Sequence, residues 1–184
     1  NLAPSGRETG WVAVVPRMAM NEDGTLWGWG QGDNGQGGKN DNNQSLSMVQ
    51  IPGTNWGQDM SKISTDDNNT GAIKTDGTLW VWGRNDNYGQ LGQNDRTTRS
   101  SPIQVPGTTW SSIHVGAMIM RAIKTDGTMW SWGRNDDERK GNLGLSNVGV
   151  HRSSPTQIPG TSWNQKAGGM AGYAAAQLTL KKSD

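Results

Sequence analysis

Asp76-Gly-Thr-Leu-Trp-Val-Trp-Gly83 is written three times in this chain, as Asp23-Gly-Thr-Leu-Trp-Gly-Trp-Gly30 before it and Asp126-Gly-Thr-Met-Trp-Ser-Trp-Gly133 after it. Each copy is followed downstream by Pro-Gly-Thr-x-Trp, ending at Trp56, Trp110 and Trp163. The copies recur about every 50 residues, and self-similarity at that period makes the chain a repeat array before any single residue is weighed.

Around the middle copy, Gly71-Ala-Ile-Lys-Thr75 and Thr78-Leu-Trp-Val-Trp82 flank Asp76-Gly77. Two short runs rich in β-branched and aromatic residues on either side of Asp-Gly predict a β-hairpin with a two-residue turn. A Gly/Asn-rich connection follows, then Pro102 to Val105, a run bounded by proline as an outer strand tolerates. A further strand is predicted after Trp110. Four short strands per repeat is the arithmetic of a propeller blade, and no segment sustains the 3.6-residue apolar period of a helix. Trp80 and Trp82 alternate with Leu79 and Val81, so both faces of the hairpin are apolar, as a sheet packed between two other sheets requires.

The expected fold is therefore all-β: propeller blades of four antiparallel strands, about three of them, with partial terminal strands. Residues 1–16 read as an N-terminal lead-in strand, residues 17–63, 64–113 and 114–163 as three repeats, and residues 164–184 as a partial fourth repeat and tail. Three blades are too few to close a ring. Three readings compete: a fragment of a longer array, a chain whose open ends are completed by another copy, or a short capped stack; self-association or contact with neighbouring propeller blades is the first partner expected.

Composition narrows the classes. The 184 residues are 31% hydrophobic, with a mean hydropathy of -0.77, values that raise the question of disorder. Ten tryptophans and no phenylalanine answer it, because all but Trp11 fall at fixed positions of the repeat, where large rings fill space between stacked units. A net charge of +1 with interleaved signs gives no footprint for nucleic acid, and no apolar run is long enough to insert in a membrane. The absence of cysteine excludes disulfides and thiolate metal sites. No catalytic residue, cofactor or metal site is expected. His114 and His151 occupy non-equivalent positions without a nucleophile pattern, and Asn85-Asp86-Asn87 does not fit a calcium loop.

The motifs Asp-Gly-Thr-Leu-Trp-x-Trp-Gly and Gly89-Gln-Leu-Gly92 resemble the repeats of the regulator of chromosome condensation family, over roughly residues 17–177. The resemblance implies a β-propeller, commonly of seven blades. Family functions range from guanine-nucleotide exchange on chromatin to light sensing and β-lactamase inhibition. The chain carries no long insertion to wedge into a GTPase and no basic tail, and reads Gly116-Ala-Met-Ile-Met120 where the light sensor has a Trp- and Arg-containing motif. The units look most like tandem arrays of bacteria and their viruses. That likeness implies a non-enzymatic binding or structural module, a surface or virion adhesion or assembly component with an extracellular or virion location. The alternative is an intracellular protein-binding regulator, exchange-factor-like or inhibitor-like.

Candidate binding residues lie where the connection after Trp-Gly changes length between units, since variation on a fixed scaffold is where specificity sits. They are Asp33 and Asn34 in the first unit, Asp86, Asn87 and Tyr88 in the second, and Asp136, Asp137, Glu138 and Arg139 in the third. Tyr88 offers a ring to stack on a glycan or a protein ligand. The bland alternative is a set of solvated turns of drifting length. Lys74 and Lys124, with Arg84 and Arg134, recur at equivalent positions and are expected to pair with Asp or with carbonyls at strand ends.

Overall fold

The structure, a computed structural model, describes residues 10–116, 118–136, 141–146 and 149–163. The expected partial fourth repeat lies outside the described residues. The first sheet is built from β1 (Trp11–Val15), β2 (Met18–Asn21), β3 (Leu26–Gly30) and β4 (Ser45–Gln50). The second contains β5 (Ile63–Thr65), β6 (Asn69–Ile73), β7 (Leu79–Gly83) and β8 (Arg99–Gln104), and the third β9 (Trp110–Gly116), β10 (Ile119–Lys124), β11 (Met129–Gly133) and β12 (Arg152–Gln157). Each is a four-stranded antiparallel meander in chain order, a propeller blade. β1, in the lead-in segment, is the first strand of the first blade. One 3-10 turn, Met60–Lys62, capped by the Asp59 carboxylate, is the only helical piece among the described residues.

The hairpins show why Asp-Gly-Thr-x-Trp is repeated. The turn is one residue longer than the two-residue form expected: in the second blade Gly77 N–H donates to Lys74 O at 3.0 Å and Lys74 N–H to Thr78 O at 2.9 Å. Only the glycine takes positive φ, +78° at Gly24, +80° at Gly77 and +78° at Gly127, while the aspartate before it does not. This is the three-residue loop closed by a glycine bulge. It leaves the aspartate free to accept from the residue two positions on. Asp76 Oδ1 takes the Thr78 N–H at 2.9 Å and the Thr78 hydroxyl at 2.7 Å, and Thr78 Oγ1 accepts the Trp80 indole N–H at 2.9 Å. The relay recurs at Asp23-Thr25-Trp27 and Asp126-Thr128-Trp130. Three residues thus close the turn and satisfy the indole's donor together.

The sheets stack face to face. β1 lies against β5 and β5 against β9, so the first strands converge at the narrow side of the stack. Met18, Met20, Leu26 and Ile51 of the first blade pack on Trp56, Ile63, Ala72 and Trp82. Ile73, Leu79, Val81, Leu91 and Val105 of the second pack on Trp110, Ile113, Val115, Met120 and Trp132. Leu79 and Val81 thus face the third blade while Trp80 and Trp82 face the first, the two-sided burial expected from their alternation.

Candidate functional site

Because β1 and β3 run the same way, the β1–β2 turns and the long β3–β4 connections gather at one end of the stack, and the candidate binding residues that the structure describes belong to those connections. What the connections do first is join blades. In the first, Asn34 Nδ2 donates to Asn68 Oδ1 at 2.9 Å, Gln36 O accepts the Trp82 indole N–H at 2.9 Å, and Asn40 N–H donates to Ser100 O at 2.8 Å. The second crosses in the same way, with Asn94 N–H on Ser153 O at 2.6 Å. Glycine is required at the crossing: a Cβ on Gly38 would lie 2.7 Å from Trp82 Nε1, and one on Gly92 2.8 Å from Trp132 Nε1. Arg17 and Asp67 add an ion pair of 2.8 Å across the same joint.

Tyr88 is half-buried rather than presented to solvent. Its ring meets His151 edge to face with centroids 4.8 Å apart, and the Arg134 guanidinium lies 5.1 Å from its centroid. Arg134 also pairs with Asp136, and His151 Nδ1 accepts the Asn135 N–H at 3.1 Å. Tyr88 and Asp136 are therefore brought together across the joint between blades two and three, and Asn34 sits in the joint between blades one and two. Asp33, Asp86 and Asn87 are exposed, with Asp86 paired to Arg84 at 2.8 Å. That contact, first by its hydrogen bond, holds the Asp86 carboxyl below its ordinary value and raises the Arg84 guanidinium. Asp137, Glu138 and Arg139 lie outside the described residues.

At the other end, the repeated lysines pair with rings rather than with Asp or carbonyls. Lys74 Nζ lies 5.0 Å from the Trp56 centroid and 4.6 Å from that of Trp80, and Lys124 Nζ is 4.7 Å from both Trp110 and Trp130. Each lysine lies just before the turn of the hairpin whose Trp it touches, and the register sets it opposite the Trp of Pro-Gly-Thr-x-Trp.

Other polar groups are dispersed. Arg121 is half-buried on the third blade, donates to Asn142 O, and lies opposite His114 in the register. Burial lowers the His114 imidazole below its ordinary value, and the neighbouring guanidinium adds to the effect. The crevice between Arg17, Trp29, Gln36, Asp66 and Thr70 is only water-sized. Among the described residues no group of three or more His, Asp or Glu could hold a metal ion, and no helix is long and apolar enough to cross a membrane.

Rigid blades joined by loops, with chemistry confined to their surfaces, define a scaffold of the propeller class. The family model of the regulator of chromosome condensation (RCC1) repeat matches residues 76–123, so the resemblance read from the motifs is shown over that stretch. The ultraviolet-B receptor UVR8 of Arabidopsis thaliana is 36% identical over 93 residues, which is 50% of this chain and 20% of the receptor. The chain thus spans about a fifth of the length of that relative. Among solved structures, human WBSCR16 superposes with a TM-score of 0.65 at 23% identity, over 77% of this chain and 35% of that one. Prp20p of Saccharomyces cerevisiae, described with binding properties to Gsp1p and histones, gives 0.66 at 19% identity, over 78% and 36%. At these identities the two structures show the fold: the described residues form three blades of that propeller type.

Proposed function

We propose that the chain is a non-enzymatic, protein-binding propeller module that works as an assembly component, docking on further propeller blades through the free face of its first sheet. The observation that carries the proposal is the exposure of that face. Trp82 and Trp132 are 0% exposed because the preceding blade covers them, whereas Trp29, at the equivalent place, is half-buried. β4 carries Leu46, 85% exposed, where β8 and β12 carry Ser100 and Ser153 under the preceding blade's loop. Val12 and Val14, 38% and 55% exposed, continue the patch. Apolar side chains grouped in this way mark an interaction surface.

The third blade offers the matching half. Gly141 and Gly144 have φ of +75° and +68°, repeating Gly89 and Gly92 at +68° and +69°. A Cβ on Gly89 would strike Ser153, but one on Gly141 meets nothing within 4 Å. A second copy, docked head to tail, would seat its Trp29 and Leu46 there, a heterologous contact that propagates. Placement at an exposed or virion surface belongs to the same proposal and rests on the likeness to tandem arrays.

Sedimentation velocity over a wide concentration range tests this reading. Concentration-dependent oligomers are expected, and Leu46→Lys or Gly141→Asn alone should limit assembly. Mixing those two variants should give a one-to-one dimer, since each keeps one intact surface. A monomer at every concentration, or loss with Leu46→Lys but not with Gly141→Asn, overturns it. Protein-binding regulation is the second reading, supported by the binding that Prp20p is described with. Capture of a partner that Leu46→Lys leaves intact and a Tyr88 variant abolishes would favour it.

A further inference from the structure

The three blades carry the same Trp–Trp pair, and among the described residues a lysine fills it in the second and third. In the register, Trp56 stands opposite Lys74, Trp110 opposite Lys124 and Trp11 opposite Asn21. The pairs are nearly superposable: Trp56–Trp80 has centroids 6.5 Å apart at 77°, Trp110–Trp130 6.2 Å at 78°, and Trp11–Trp27 6.4 Å at 86°. In the second and third blades a lysine ammonium lies against both rings. In the first, Asn21 is short, and its Oδ1 accepts the Asp23 N–H at 3.3 Å, which draws it toward the turn.

A second substitution accompanies the first. Thr75 and Thr125 follow the lysines, whereas Glu22 follows Asn21. Glu22 N–H donates to Gly10 O at 2.6 Å, and its Oε1 lies 2.9 Å from where a Cβ on Gly10 would stand, next to Trp11. The first blade therefore carries no cation opposite its first Trp and has a carboxylate one position on, beside Gly10, the residue that precedes Trp11. Trp11 is also more exposed than the buried Trp56 and Trp110.

We propose that Trp11, Trp27 and Glu22 form a clamp for the ammonium group of a lysine side chain from a protein partner. Two indole faces attract a cation through their quadrupoles, and the carboxylate supplies the countercharge that desolvation calls for. The size of the ligand follows from the filled copies, where a primary ammonium on an aliphatic stem rests 4.6 to 5.0 Å from the ring centroids. The site is at the rim, where Lys74 and Lys124 stay partly exposed even between packed blades, so it does not depend on the assembly proposed above.

The test is a titration of the ¹⁵N-labelled 184-residue chain with Nα-acetyl-lysine methylamide, following the indole N–H resonances. Saturable shifts confined to Trp11 and Trp27 are expected, with half-saturation on the order of 10 mM for two partly exposed cation–π contacts. The uncharged norleucine analogue should give none. Glu22→Gln should weaken binding about threefold, as loss of one exposed charge partner does. Asn21→Lys should abolish it by filling the clamp internally, a residue the other two blades already accommodate. Equal shifts with norleucine, unchanged binding in Asn21→Lys, no saturable shift at all, or saturation by phosphocholine at a tenth of the lysine concentration would each overturn the assignment.

Discussion

The indole Nε1 of Trp82 donates to the main-chain oxygen of Gln36 at 2.9 Å, so the largest core side chain of the second blade is hydrogen-bonded to a loop of the first. Packing and polar satisfaction are met by the same residue. Trp82→Phe keeps most of the packing but leaves a buried carbonyl with only the longer Thr70 hydroxyl contact of 3.3 Å. A loss of about 1–3 kcal/mol is expected in urea denaturation, against about 3–5 kcal/mol for Trp82→Ala.

Gly89→Asn and Gly141→Asn put the same side chain at equivalent positive-φ positions. The first drives a Cβ to within 2.4 Å of Ser153 Cβ, and the second points into open space. Gly89→Asn should cost about 2 kcal/mol or more, whereas Gly141→Asn should stay within about 1 kcal/mol of the parent, since Asn tolerates this backbone region. Paired urea melts at a concentration where both are monomeric separate the two cases.

Tyr88→Phe preserves the ring on His151 and Arg134 and should change stability by less than about 0.5 kcal/mol. Tyr88→Ala removes both ring contacts and should cost about 1–2 kcal/mol. A ligand lost in Tyr88→Ala but kept in Tyr88→Phe, with unchanged melts, would instead assign the ring to binding.

Thr78→Val breaks the relay that joins Asp76 to Trp80. In the folded chain the Asp76 carboxyl is held below its ordinary value of 3.8, chiefly by the Thr78 hydroxyl and then by the Thr78 N–H. A depressed carboxylate stabilises the fold above the unfolded pKa, and that contribution disappears as pH falls through the folded one. The parent should therefore exceed Thr78→Val in stability at pH 7, and the gap should narrow below about pH 4. Denaturation midpoints at several pH values check the trend.

The blades were legible because their signals are local. Asp76, Gly77, Thr78 and Trp80 interact within one hairpin, and alternation along Leu79 to Trp82 assigns each side chain a sheet face. Less legible was everything that depends on the next blade. Nothing near Tyr88 in sequence announces His151, and the glycines of the connecting loops look like slack until Trp82 and Trp132 are seen against them. The position of Lys74 at a strand end predicts a polar partner, but the chain places two indoles there. Length variation after Trp-Gly singles out the connecting loops, while their shared work as blade joints is set by tertiary packing that no single unit contains.

Among the described residues the first two connecting loops each reach the following blade, Asn40 to Ser100 and Asn94 to Ser153. Cohesion is consequently a nearest-neighbour property, as in a one-dimensional array. The middle blade is held from both sides, so its amides should exchange with solvent most slowly, with those of the first blade opening earlier. A partner that covers the Trp29 face would raise that first blade's protection and leave the middle blade nearly unchanged, which makes amide exchange a map of where along the stack an occupant sits.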